Sequence, residues 1–206
     1  MSFSYDPTNT SDLAFSGEWN NTVDMLGRRG IPFDQTRTHS ELGTFSATYK
    51  LDEYKATCKP FWSISRMWNS IMILNMATTY QNSFISVYGW TVEPLIEYHI
   101  VENFCAPLSV SNKISLGTHE IDGVEYKVIK GIRVNKPSIK VTATFVQIFS
   151  VRQTSSMEGT VAISKHFELW ESLGVTLGKF YDVSFSVEGI NNSGRYNFSK
   201  LEVSVQ

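Results

Sequence analysis

Two glutamates have the residue type and the setting to do chemistry. Glu97 lies in the run Leu95-Ile96-Glu97-Tyr98-His99-Ile100. A period of two there puts Ile96, Tyr98 and Ile100 on one face and Leu95, Glu97 and His99 on the other. Glu188 lies in VSFSVEG at 183–189, where Val183, Phe185 and Val187 point one way and Ser184, Ser186 and Glu188 the other. Each strand gives one face to a core, so its other face must tolerate charge where a buried residue would be expected. Two such carboxylates, one ionised and one protonated, can move protons and attack an electrophile. Strand glutamates are also commonly plain solvated residues, and periodicity alone leaves both readings open.

The elements that must position this pair show the same period. SVYGWTVEPLIEYHIVENF at 86–104 reads as strand, turn and strand, and GTFSATY at 43–49 as a half-buried strand led by Phe45. EIDGVEYKVIKGIRV at 120–134 places Asp-Gly between apolar runs, a hairpin signal. Pro137 fixes its own φ and lacks a ladder donor, so the strand is expected to stop before it. VNKPSIK then makes a turn, and the next strand spans 141–153. Within that strand Phe145, Gln147 and Phe149 share a face and Val146 and Ile148 the other. SKHFELWESLG at 164–174 predicts the one helix, with Ser164 as its cap, Phe167, Trp170 and Leu173 at helical spacing, and Gly174 as its terminator. Two strands follow, around 180–187 and 196–205. Residues 1–18 read as an irregular start joining an edge strand, and 66–80 as a strand. Many strands, one helix and no βαβ rhythm predict an all-β sandwich of two packed antiparallel sheets.

Composition narrows the class. The 206 residues fit a single domain, 1–206, and 42% hydrophobic against 18% charged residues suits a packed core. A net charge of -2 without a basic cluster gives no footing for nucleic acid or a membrane surface. No run approaches a membrane span, and the start lacks a secretory pattern, so the chain is cytosolic or has had a leader removed. His39, His99, His119 and His166 form no HExxH motif, and there is no GxSxG elbow or phosphate-binding glycine loop. A metal site, a cofactor and serine-hydrolase chemistry are therefore not expected. Cys58 and Cys105 can pair or remain free. The acceptor motifs at Asn9, Asn20, Asn191 and Asn197 matter only in a secreted chain.

Taken in order, SVYGWTVEPLIEYHIVENF, RVNKPSI, TFVQIFSVRQ, GTVAISKHFELWESLGVTLG and VEGINNSG resemble the motifs of glycoside hydrolase family 11, the endo-1,4-β-xylanases. The resemblance covers about the C-terminal six-tenths of the chain and implies a β-jelly roll. It implies further that Glu97 is a nucleophile and Glu188 the general acid/base. Tyr88 would lie near the reacting sugar, Arg133 with Pro137, Ser138 and Ile139 would form a thumb, and Gln147 would be a cleft amide. Trp19 in EWNN would stack on sugar at the far end of the cleft. The chain departs from the family at His99, Asp182 and Ile190, where tyrosines are usual, at Phe149 for a tryptophan, and at Val92 for an arginine. A polar partner for the acid/base is expected from residues 50–56, as Asp52 or Glu53.

The reaction so implied is retaining hydrolysis of xylan or a related polysaccharide. It needs two carboxyl groups about 5–5.5 Å apart, which two glutamates on neighbouring strands can supply. Ionised Glu97 would keep Glu188 protonated until the glycosyl ester forms. The resemblance also implies a secreted monomer that needs no cofactor. The alternative is a drifted family member that binds carbohydrate or an inhibitor, as a decoy, because lost stacking aromatics weaken a polymer cleft.

Overall fold

The computed structural model describes residues 15–30, 38, 43–58, 82–106, 108 and 113–205, with the side chains of β1 described only at Ser16 and Glu18 and those of 203–205 not described. The chain before residue 15 and the strand expected over 66–80 lie outside these residues. The elements are β1 (Phe15–Gly30), β2 (Phe45–Ala56), β3 (Asn82–Val92), β4 (Ile96–Phe104), β5 (Lys113–Ile121), β6 (Val124–Ser138), β7 (Val141–Arg152), β8 (Glu158–Ala162), α1 (Ile163–Ser172) and β9 (Lys179–Val205). Hydrogen bonding runs in the order β5-β6-β7-β4-β3-β9-β2-β8, with β1 also paired to β9. This curled sheet, with one short helix among the described residues, is the expected all-β jelly roll. Its pairing is not antiparallel throughout, since β4 and β7 run parallel from Ile96↔Val146 to Val101↔Val151.

The period of two decides which face each strand buries. Ile96, Tyr98 and Ile100 of β4, Ile148 of β7, Val183, Phe185 and Val187 of β9, and Phe45, Ala47, Tyr49 and Leu51 of β2 all join one core cluster. The helix closes this core, with Phe167 and Trp170 5.1 and 5.9 Å from the Tyr98 ring and the Trp170 indole donating to Ser150 Oγ at 2.9 Å. Every residue of β3 from Asn82 to Thr91 is buried, because Ile85 and Val87 face that core while Phe84, Tyr88 and Trp90 pack on the opposite side. Gly89 makes this strand possible: a Cβ there would meet the Asp182 carbonyl at 1.9 Å and the Tyr98 hydroxyl at 2.4 Å. Among the described residues, one fully buried carboxylate sits against the core. Glu102 accepts from Tyr126 at 2.7 Å, Tyr49 at 3.0 Å and Arg152 at 2.8 Å, which satisfies it as burial requires.

Several local expectations change. Asp122 and Gly123 take φ of 51° and 77°, the two left-handed residues of the expected two-residue hairpin turn. Beyond it β6 does not stop before Pro137 but runs to Ser138, with Pro137 opposite Thr142. β5 pairs with β6 no further than Gly131, so Pro137 lies where that edge of β6 has no partner strand among the described residues and its missing N–H removes no bond to β5. Gly174 (φ 81°) ends the helix as expected, with its N–H bonded to Glu171 and that of Val175 to Trp170. Ser164 is not the cap. The cap residue is Ala162, without a side-chain bond, and buried Ser164 instead accepts the Phe45 N–H at 3.2 Å. The two strands expected after the helix are one continuous element, β9, whose first half pairs with β3 and whose second half pairs with β2.

Candidate active site

On the side of the sheet away from the main core, alternate residues of four strands form a floor. β3 gives Phe84, Ser86 and Tyr88; β4 gives Glu97 and His99; β7 gives Phe145, Gln147 and Phe149; β9 gives Ser186 and Glu188. A cleft of about 390 Å³ opens over them and is lined by Glu97 and Glu188 together. The two glutamates are not on neighbouring strands, where the two-carboxylate reaction had them: β3 lies between β4 and β9. Periodicity sets which face a residue takes, not which strand lies beside it.

Glu97 is held from two sides. Gln147, directly opposite on β7, donates its amide to Oε2 in a short hydrogen bond. The Tyr88 hydroxyl donates to Oε1 at 3.4 Å and itself accepts the Trp90 indole N–H at 2.8 Å. Burial pushes the Glu97 carboxyl above the ordinary carboxylate range, while Gln147, Arg133, Lys113 and Tyr88 pull it down. His99, on the same face of β4 as Glu97, reaches toward Glu188. Its Nδ1 is 3.6 Å from Glu188 Oε1 and 3.4 Å from Ser86 Oγ, and Ser86 in turn meets Ser186 at 3.0 Å. The buried imidazole is stacked on Phe149 at 4.5 Å and 5° and tilted against Tyr88 at 4.8 Å.

The other expected site residues fall into three groups. Arg133, Pro137 and Gln147 line the cleft. Ser138 and Ile139 are at the β6–β7 tip, where Ile139 packs against Tyr88, Trp90 and Phe145 and Ser138 Oγ accepts the Lys140 N–H at 3.0 Å. Trp19 is on β1, registered with Gly194, but its side chain lies outside the described residues. Among the departures, His99, Ile190 and Phe149 line the cleft, whereas Asp182 and Val92 do not. Neither Asp52 nor Glu53, expected beside the acid/base, lines the cleft. Asp52 accepts from Ser199 at 2.7 Å and Glu53 pairs with Arg195 at 2.8 Å, both away from the cleft. Buried Asn82 lines the cleft instead, registered with Ile190. Extending the Tyr88 period back through Ser86 and Phe84 reaches Asn82, so that residue had a signal in the sequence. Lys113 and Lys136 also line the cleft and had none.

The family model of Glycosyl hydrolases family 11 matches residues 35–199. The chain belongs to this family. Endo-1,4-beta-xylanase A of Bacillus pumilus is 40% identical over 89% of this chain and 69% of its own length. Endo-1,4-beta-xylanase A of Thermoclostridium stercorarium is 36% identical over 93% of this chain but only 26% of its own, so the chain spans about a quarter of that longer relative. The structure of the family 11 xylanase from Neocallimastix patriciarum superposes with a TM-score of 0.77 at 28% identity, covering 97% of this chain and 84% of that one. This family 11 chain thus combines a curled sheet, both glutamates in one cleft and a floor in which a histidine and a phenylalanine stack on each other.

Proposed function

We propose that this cleft hydrolyses β-1,4 xylosidic bonds in xylan with retention, and that residues 1–206 act as one catalytic domain, secreted and monomeric. The observation that carries the reading is that Glu97, fixed by Gln147 and Tyr88, lines the same cleft as Glu188. The family relationship and the relatives' activity support it, and the Cys58–Cys105 disulfide fits an oxidising compartment.

In the first step a Glu97 oxygen attacks the anomeric carbon, the glycosidic C–O bond breaks, and Glu188 gives its proton to the departing sugar oxygen. In the second, Glu188 takes a proton from water, the water oxygen attacks the anomeric carbon, and Glu97 leaves as carboxylate. Gln147 and Tyr88 orient the nucleophile and favour its ionised form against the effect of burial. Arg133 and the Pro137-Ser138-Ile139 tip hold the sugar from above, and Trp19 stacks on a sugar at the far end.

Glu97→Gln and Glu188→Gln should each remove most reducing-sugar release from xylan while circular dichroism stays native. A near-normal rate in either variant takes that glutamate out of the reaction. Anomeric proton signals followed during turnover should show β product first. Initial α product would overturn retention.

A further inference from the structure

Phe149 occupies the place where the family resemblance puts a stacking tryptophan, yet both of its ring faces are taken. The His99 imidazole lies parallel to it with centroids 4.5 Å apart, and Lys113 Nζ stands 3.6 Å over its centroid. The two cannot share a face, because an ammonium at that height would fall within contact distance of the imidazole atoms. No sugar ring can therefore stack on Phe149, and what this part of the cleft offers a ligand is the ammonium. Lys113 has company. Arg133 is close enough to act on it electrostatically, and Lys136 lines the same cleft. None of the three makes a salt bridge with a described residue. Among the described residues, the carboxylates of the cleft are Glu97, already engaged by Gln147 and Tyr88, and Glu188, beside His99.

From this excess of cation over free carboxylate we infer that the cleft accepts a carboxylate on its substrate, namely a uronic acid branch on a neutral sugar chain, met by Lys113, Arg133 and Lys136. The inference rests on the xylan reading and narrows it to acidic xylan. Burial and Arg133 pull Lys113 down to about 7, with Glu97 opposing. The remaining titratable groups of the cleft are His99 on β4, Lys136 on β6 and Glu188 on β9. A carboxylate arriving beside Lys113 restores its charge, so binding at neutral pH takes up protons.

Calorimetric titration of a Glu188→Gln variant, which keeps the Glu97 charge, tests this with three probes: linear xylotetraose, xylotetraose with one glucuronic acid branch, and an all-uronate tetramer. The branched probe should bind about fivefold more tightly than the linear one at low salt, the size expected of partly exposed charge pairs. The difference should shrink at about 0.5 M salt, and buffers of different ionisation heat should report proton uptake. Lys113→Met and, separately, Lys136→Gln in that background should bring the ratio toward one. Equal affinities for the linear and branched probes, or a preference that survives both substitutions, overturn the inference and leave the xylan reading standing. Tightest binding of the all-uronate tetramer places the carboxylate in the backbone and overturns the branch. Failure to bind either xylotetraose overturns the xylan reading itself.

Discussion

His99 is fixed by its surroundings more completely than a surface histidine would be. Phe149, Tyr88 and Phe84 enclose the ring at 4.5, 4.8 and 5.7 Å, so its Nδ1 has little freedom to leave Ser86 and Glu188. His99→Phe preserves the stack and removes the nitrogen. Losing a polar contact to a charged group is worth about 1.5 kcal/mol, so kcat/KM on xylan should fall roughly tenfold while the melting temperature moves little. A fall in melting temperature matching the loss of activity would make His99 a packing residue only. Glu97 poses a different problem, because its raised carboxyl binds a proton more tightly in the folded than in the unfolded chain. Stability is then lost as pH rises above the unfolded carboxylate range, and the Glu97→Gln protein, free of that cost, should melt no lower than the parent at neutral pH.

The β6–β7 hairpin joins the floor to the space above it. Its tip carries a β-branched residue in the left-handed region, Val141 at φ 66°, with the side chain 83% exposed. The strain there costs about 1–2 kcal/mol, and nothing packs on the valine in return. Val141→Asn should therefore raise thermal stability by about 1 kcal/mol, measured by denaturant unfolding. Ile139→Ala, two residues away, removes the contact with Tyr88, Trp90 and Phe145 and should reduce turnover more than stability, since a hairpin tip adds little to the core. The floor was legible in the sequence wherever alternation carried it. Alternation alone puts Glu97 with His99, Phe145 with Gln147 and Phe149, and Ser184 with Ser186 and Glu188 each on one face. What alternation does not contain is the partner. The parallel match of β4 with β7, the insertion of β3 between the two glutamates and the continuity of β9 come from packing between distant segments. Lys113 was silent for the same reason: it is one lysine opening an edge strand until β6 and β7 bring Arg133 and Phe149 beside it.

At the scale of the whole molecule, acid is the condition that tests the core. His166 is fully buried on α1, neither ring nitrogen has a hydrogen-bond partner among the described residues, and burial pulls its pKa down to about 3 from 6.5. The unfolded chain binds that proton first. Stability is therefore complete above about pH 6.5 and is lost as pH falls toward 3, by several kcal/mol at most. His166→Leu should flatten the pH dependence of urea unfolding over this window, and an unchanged slope would show that carboxylates govern it. The long strand β9 has a consequence of another kind, in time. It follows every other strand in chain order, yet β1, β2 and β3 all pair with it, and its hydroxyl at Ser186 meets Ser86 across 100 residues of chain. A ribosome that has delivered the protein only as far as the helix has exposed three strands whose shared partner has not yet been made. Such open edges invite pairing with other nascent chains, so the slowest and most aggregation-prone moment of synthesis should be the wait for β9, and the acid/base candidate Glu188 arrives on the strand that ends it.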